Sequence, residues 1–161
     1  MKILGIDPGT AITGWAVIEI ASGQPKSVAY GSIQPESKIL AERLKIIHTE
    51  LKQLIILHKP DAISIEELFF ATNAKTAISV GQARGVILLT ASIAGIPIAS
   101  YTPLVVKQTV CGDGKADKKQ VGKMVALTLK LRSVPQPDDA ADALAIALTH
   151  AFRYKMRALT L

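Results

Sequence analysis

The stretch Ile3-Leu4-Gly5-Ile6-Asp7-Pro8-Gly9-Thr10 constrains this chain more than any other. The apolar residues around Gly5 predict a buried strand, and Pro8-Gly9 ends it in a turn. Asp7 then stands at the C-terminal end of a central strand, where a lone negative charge is costly. Two accounts fit the segment. The carboxylate caps the turn before Pro8, or a metal ion or backbone N–H cluster offsets its charge. The pattern of an apolar strand ending in an acid recurs at Ala62-Ile63-Ser64-Ile65-Glu66. Parallel and side by side, the two strands bring Asp7 and Glu66 to one sheet edge, where ligands of open α/β sheets bind. Neighbouring strand residues face opposite sides, so only one of Glu66 and Glu67 turns towards Asp7, and the register selects Glu66.

The rest of the chain supplies the elements around that edge. Gly14 to Ile20 and Lys26 to Ile33 predict two further strands joined by a turn at Ser22-Gly23, an antiparallel meander with the first. Leu40, Leu44, Ile47, Leu51, Leu54 and His58 recur at helical spacing. Lys38, Arg43, Lys45 and Lys52 fall elsewhere, on a basic outer face, and Pro60 ends the helix. Asn73 predicts the cap of a long helix from Ala74 to Ala94. Its small residues Gly81, Ala83, Gly85, Ala91 and Ala94 allow a neighbour to approach closely, either in a buried core or at a subunit interface. Ile96 to Tyr101 reads as a fifth strand, with Pro97 favouring an edge position or a strand start. Pro103 starts a short helix carrying Lys107, and Asp117 with Gln120 predicts a capping box. After Pro135-Gln136-Pro137 a last long helix opens at Asp138. The order predicts an α/β fold with a five-stranded mixed sheet whose first three strands are antiparallel. A chain of 161 residues, 49% hydrophobic, fits a single domain spanning 1–161.

Charge and cysteine usage narrow the function. Nineteen basic residues against thirteen acidic ones leave +6 at neutral pH, a balance that favours a polyanion, nucleic acid before an anionic membrane surface. Cys111 is the only cysteine, so no disulfide framework or cysteine zinc site is available, in keeping with a reducing cytosol. The N-terminus opens directly into a strand, with no signal-peptide pattern. The apolar run Val86 to Ile98 is too short to span a bilayer. A cytoplasmic location without membrane contact is the expectation.

Asp7, Glu66, Asp139 and Asp142 form the chemically distinctive set. Asp138 and Asp139 suit a first helical turn. Asp142 lies one turn on from Asp139, and like charges at that spacing repel unless a cation joins them. Oxygen-only donors select Mg2+ or Mn2+ over zinc. His48 and His58 are remote in sequence from these acids, and His150 reads as a satisfied core histidine. Two divalent ions ~3.5–4 Å apart could run in-line phosphodiester hydrolysis. Lys115, Lys118, Lys119 and Lys123 concentrate positive charge near the capping box, and some of them suit phosphate contacts. Phe69-Phe70 follow the second acid strand closely, placed either to stack on bases or to plug the core.

Several blocks now resemble a known family. Gly5-Ile6-Asp7-Pro8-Gly9, Ile65-Glu66, Asn73-Ala74, Gly81-Gln82-Ala83-Arg84-Gly85, Val106-Lys107-Gln108-Thr109-Val110 and the Asp139 to Ala147 run look like the bacterial RuvC family, the Holliday-junction resolvases. The likeness covers nearly the whole chain, in order. It implies a ribonuclease-H-like fold with helices on both sheet faces. It implies a homodimer that nicks two strands of a four-way DNA junction symmetrically, in recombination and repair. It further implies about two Mg2+ per subunit, replaceable by Mn2+, held by Asp7, Glu66, Asp139 and Asp142. It implies phosphate or transition-state roles for Lys107 and Lys118, and the local concentration of positive charge adds Lys115 and Lys119 as candidate DNA contacts. Phe69 matches an aromatic at the junction centre, Phe70 competes with it, and the helix near Asn73 matches a dimer-forming helix. The RuvA–RuvB branch-migration motor is the implied partner. Asp138 is an extra acid before the last pair and competes with Asp139 as ligand.

Three rivals remain open on sequence alone. The first segment also resembles the phosphate turn of actin-like ATPases, although this chain is short for their two lobes. A non-catalytic nucleic-acid-binding or scaffold protein is the second. A nuclease of the same fold acting on RNA or linear duplex is the third.

Overall fold

The computed structural model describes residues 1–67 and 74–159. Phe69, Phe70 and the cap position Asn73 lie outside the described residues. The chain runs β1 (Lys2–Asp7), β2 (Thr13–Ala21), β3 (Gln24–Ile33), α1 (Leu40–His58), β4 (Ala62–Glu66), α2 (Ala74–Ile93), β5 (Ile98–Tyr101), α3 (Pro103–Cys111), α4 (Lys118–Thr128) and α5 (Asp138–Leu159). The strands form one sheet in the order β3-β2-β1-β4-β5. β1, β2 and β3 pair antiparallel, while β4 joins β1 and β5 joins β4 in parallel. This is the five-stranded mixed sheet expected from the sequence.

Side-chain alternation divides the sheet into two dry faces. Leu4, Ile6, Val17, Ile63 and Ile65 pack with Ile47, Leu51 and Ile55 of α1 and Ala83, Ile87 and Ala91 of α2. Ile3, Ala16 and Ile18 pack instead against α3, α4 and α5 through Val106, Val121, Leu144 and Leu148. Strands buried on both faces read as continuous apolar runs, which is how Ile3 to Ile6 and Ala62 to Ile65 look in the sequence.

Local chemistry sets the boundaries. Ser22 and Gly23, both at positive φ, close the β2–β3 hairpin. β5 begins at Ile98 and not at Ile96, because the Ile96 N–H donates to Ala91 O at the end of α2 and Pro97 has no N–H to give. The Pro97 carbonyl still accepts from Ile63 N at 2.9 Å, and β5 takes the sheet edge that Pro97 favours. Thr102 caps α3, its hydroxyl accepting from Val105 N. Asp117 and Gln120 close the expected capping box on α4.

α5 lies directly on the sheet backbone. A Cβ on Gly5 would stand 2.2 Å from Ala143 O and 2.8 Å from Ala147 Cβ. One on Gly14 would stand 2.0 Å from Asp139 O. Glycine at both positions is therefore a packing requirement. Gly5→Ala should destabilise the fold by about 2 kcal/mol or more, since helix or strand must move to admit the methyl. Urea unfolding checks this, and unchanged stability would contradict the close packing.

Candidate active site

Asp7 ends β1 and Glu66 ends β4 on the same sheet face. The parallel register pairs Gly5 with Ser64 and Ile6 with Ile65, so Asp7 and Glu66 extend the ladder as neighbours. Gly5 faces α5, and alternation turns Asp7 to the same side. Glu67, one position on, is exposed and donates its backbone N–H to Tyr101 O. On the helix side, Asp139 and Asp142 come from the first turns of α5, which the close approach at Gly5 and Gly14 presses onto the strand ends.

A cavity of about 410 Å³ opens there. Asp7, Glu66, Asp142, Lys107 and Lys118 line it, with Val106, Val121 and Ile146 among its apolar walls. Lys107 reaches it from α3 and Lys118 from the first residue of α4. Lys118 Nζ donates to Asp142 Oδ2 at 2.9 Å. A larger groove of about 830 Å³ beside β5 is lined by residues such as Tyr101, His150 and Arg153 and holds no carboxylate. In that groove His150 Nδ1 lies 2.8 Å from the Tyr101 hydroxyl, away from the acids.

The electrostatics carry the mark of crowded negative charge. Burial, then Glu66, Asp142 and Asp139, push the Asp7 carboxyl up to about 8, against a smaller pull from Lys118. Burial and then Asp142 push Glu66 up to about 7, with Lys118 and Lys107 opposing. The hydrogen bond to Asp142 raises the Lys118 ammonium above its usual value despite partial burial. Lysine cations therefore offset only part of the charge these carboxylates would carry when ionised. Asp7 and Glu66 titrate high for want of positive charge, and a set of hard carboxylate oxygens of this kind matches a divalent cation such as Mg2+ or Mn2+ in chemistry. Among the described residues, no three acidic, histidine or cysteine side chains already stand in a closed metal-binding arrangement.

Other expected residues fall around this centre. Asp139 acts on Asp7 electrostatically, whereas Asp138 is exposed and takes no part in the Asp7 environment. Lys115 and Lys119 are exposed and do not line the cavity. The sequence reading missed the contact of Lys118 with Asp142, because 24 residues separate them and no spacing rule joins them. It also missed Gly14 as the seat of Asp139. A glycine opening a strand beside an acid turn is the signal that could have found it.

Residues 3–150 match the family model described as "Crossover junction endodeoxyribonuclease RuvC". A crossover junction endodeoxyribonuclease RuvC from Syntrophomonas wolfei is 52% identical over 157 residues, which cover 97% of this chain and 91% of the relative. The Thermus thermophilus RuvC structure superposes with a TM-score of 0.90 at 35% identity, covering 98% of this chain and 97% of that one. T. thermophilus RuvC in complex with Holliday junction substrate gives 0.86 at 34% identity, covering 97% and 96%. The acid-lined strand ends, the sheet order and these likenesses agree: the chain belongs to the RuvC family of crossover junction endodeoxyribonucleases.

Proposed function

We propose that this protein resolves four-way DNA junctions by metal-dependent phosphodiester hydrolysis, cutting two strands symmetrically in recombination and repair. The observation that carries this is the convergence of carboxylates from β1, β4 and α5 beside two lysines in one cavity. The junction complex of the T. thermophilus relative supports the choice of substrate, and the +6 net charge suits a polyanion.

Asp7, Glu66, Asp139 and Asp142 would hold Mg2+, two ions per subunit, with Mn2+ as a substitute. When bound, the ions supply Lewis acidity to water and to the scissile phosphodiester. The chain's own residues do the rest. Asp7 and Glu66 fix the floor from rigid strand ends. Lys107 and Lys118 put positive charge on the cavity rim, where charge builds on the reacting phosphate. Lys115 and Lys119, exposed on the same side of the sequence, offer further phosphate contacts. Phe69 and Phe70 follow Glu66 closely in the chain and are the proposed aromatics at the junction centre.

A homodimer accounts for a further feature. Ile78, Leu89 and Ile93 are 72%, 59% and 72% exposed along α2, and a side chain on Gly85 would meet nothing. That apolar stripe supports α2 as the subunit contact. Two such subunits would present two cavities to the two strands cut. Family membership supports the RuvA–RuvB motor as partner and the cytoplasm as location. Among the described residues no helix is long and apolar enough to cross a membrane.

Asp7→Asn should lower cleavage of a synthetic immobile junction in Mg2+ by at least ~10³-fold while leaving junction binding in a gel shift intact. Native-rate cutting by that variant would remove Asp7 from the site.

The metal-free protein should lose stability with rising pH. The folded-state values of about 8 for Asp7 and about 7 for Glu66 lie above the ordinary 3.8 and 4.5, so the folded chain binds more protons than the unfolded chain between these limits. Its melting temperature in chelator should therefore fall between about pH 4 and about pH 8, and fall less in Asp7→Asn. A melting temperature that rises across this range would contradict the crowded-acid site.

Ile93→Glu, at an exposed position, should leave the fold intact and shift the protein from dimer to monomer in light scattering. A persistent dimer would place the subunit contact elsewhere.

A further inference from the structure

We propose that Lys118 is an exchangeable internal counter-ion. Its ammonium holds Asp142 until a divalent cation takes that carboxylate, and the exchange frees Nζ to meet the DNA phosphate. This role rests on the metal-dependent reading above and adds an order of events to it.

The geometry of the pair supports exchange. Lys118 Nζ and Asp142 Oδ2 are 2.9 Å apart, joined across 24 residues of sequence. Among the described side chains, no other lysine or arginine cation lies within 4.0 Å of a carboxylate oxygen. Lys107 lines the same cavity without such a contact. The Lys118 side chain is 74% exposed and that of Asp142 27%. A pair this open to water is weak and screened, so breaking it costs little.

The position of Lys118 is also unfavourable on local grounds. It is the first residue of α4, where the helix dipole disfavours a cation. The capping box of Asp117 and Gln120 fixes the backbone on either side of it. Only the flexible stem is left to move, and an ammonium binds as a rotatable point charge with no planar fork to lock it. In this arrangement one oxygen of Asp142 is occupied by Nζ, and no closed metal-binding group exists among the described residues. Release of Nζ gives that oxygen back to the carboxylate cluster and leaves a free cation at the cavity rim.

Calorimetric titration of Mg2+ or Mn2+ into the DNA-free protein tests the exchange without any turnover. Lys118→Ala should bind the ion about twofold to fivefold more tightly than the wild type, the gain expected from removing one exposed competing pair. Lys107→Ala removes the same charge from the same cavity with no pair to break, and should tighten binding less. Lys118→Arg keeps both charge and contact and should stay near the wild type. In lysine-labelled wild-type protein, the Lys118 Cε NMR signal should move on adding Mg2+ towards its position in metal-free Asp142→Asn. Equal or weaker affinity in Lys118→Ala, equal tightening by Lys107→Ala, or an unmoved Cε signal at saturation would overturn the exchange. Absence of any metal binding by the wild type would instead overturn the metal-dependent reading beneath it.

Discussion

The close seating of α5 on the sheet is the constraint from which the site follows. At Gly5 and Gly14 the helix backbone touches the strand backbone with no side chain between them. A helix normally stands about 10 Å from a sheet, held off by side chains of both. Here the gap is closed at two points, and Ala140, Ala143 and Ala147 keep the helix side small enough to fit. The consequence reaches Asp139 and Asp142, which ride on the first turns of that helix. Seated any higher, they would lie away from the ends of β1 and β4.

Bringing carboxylates together in this way works against stability. Asp7 and Glu66 meet at adjacent strand ends, and the helix adds two more acids within electrostatic reach of Asp7. The chain answers with two lysines, of which only Lys118 touches an acid. The imbalance remains in the high titration of both strand-end carboxyls. A purely structural site would be expected to settle its charges by pairing them. Unsettled negative charge at the C-terminal edge of a sheet suits a site that takes a divalent cation. The apolar wall of Val106, Val121 and Ile146 sharpens the effect, because low polarity lengthens the reach of each charge.

Much of this was legible beforehand, for reasons that differ between residues. Alternation left room for only one of Glu66 and Glu67 to turn towards Asp7, the expected register selected Glu66, and the parallel ladder puts it beside Asp7. The capping box at Asp117 and Gln120 was a local signal between residues three apart. Asp138 and Asp139 both suit a first helical turn, and the Ala-Ala-Asp spacing to Asp142 favoured Asp139 with Asp138 as its competitor. In the structure Asp138 is exposed, while Asp139 contributes to the charge around Asp7. Helix α2 could have been buried or an interface, and its small residues suited both. Ile78, Leu89 and Ile93 lie exposed, so α2 is not enclosed by this chain.

By itself the sequence determined the strands that end in acid, the order of elements, the capping box of α4 and the excess of basic residues. These depend on neighbours a few positions apart, through period, turn chemistry and charge count. Only the tertiary structure decided which charges meet. Lys118 finds Asp142, and Asp139 comes within electrostatic reach of Asp7, because the height of α5 above the sheet is set by contacts at Gly5 and Gly14 that no short-range pattern encodes. Electrostatic energy depends on distance through space, and folding fixes that distance independently of separation along the chain.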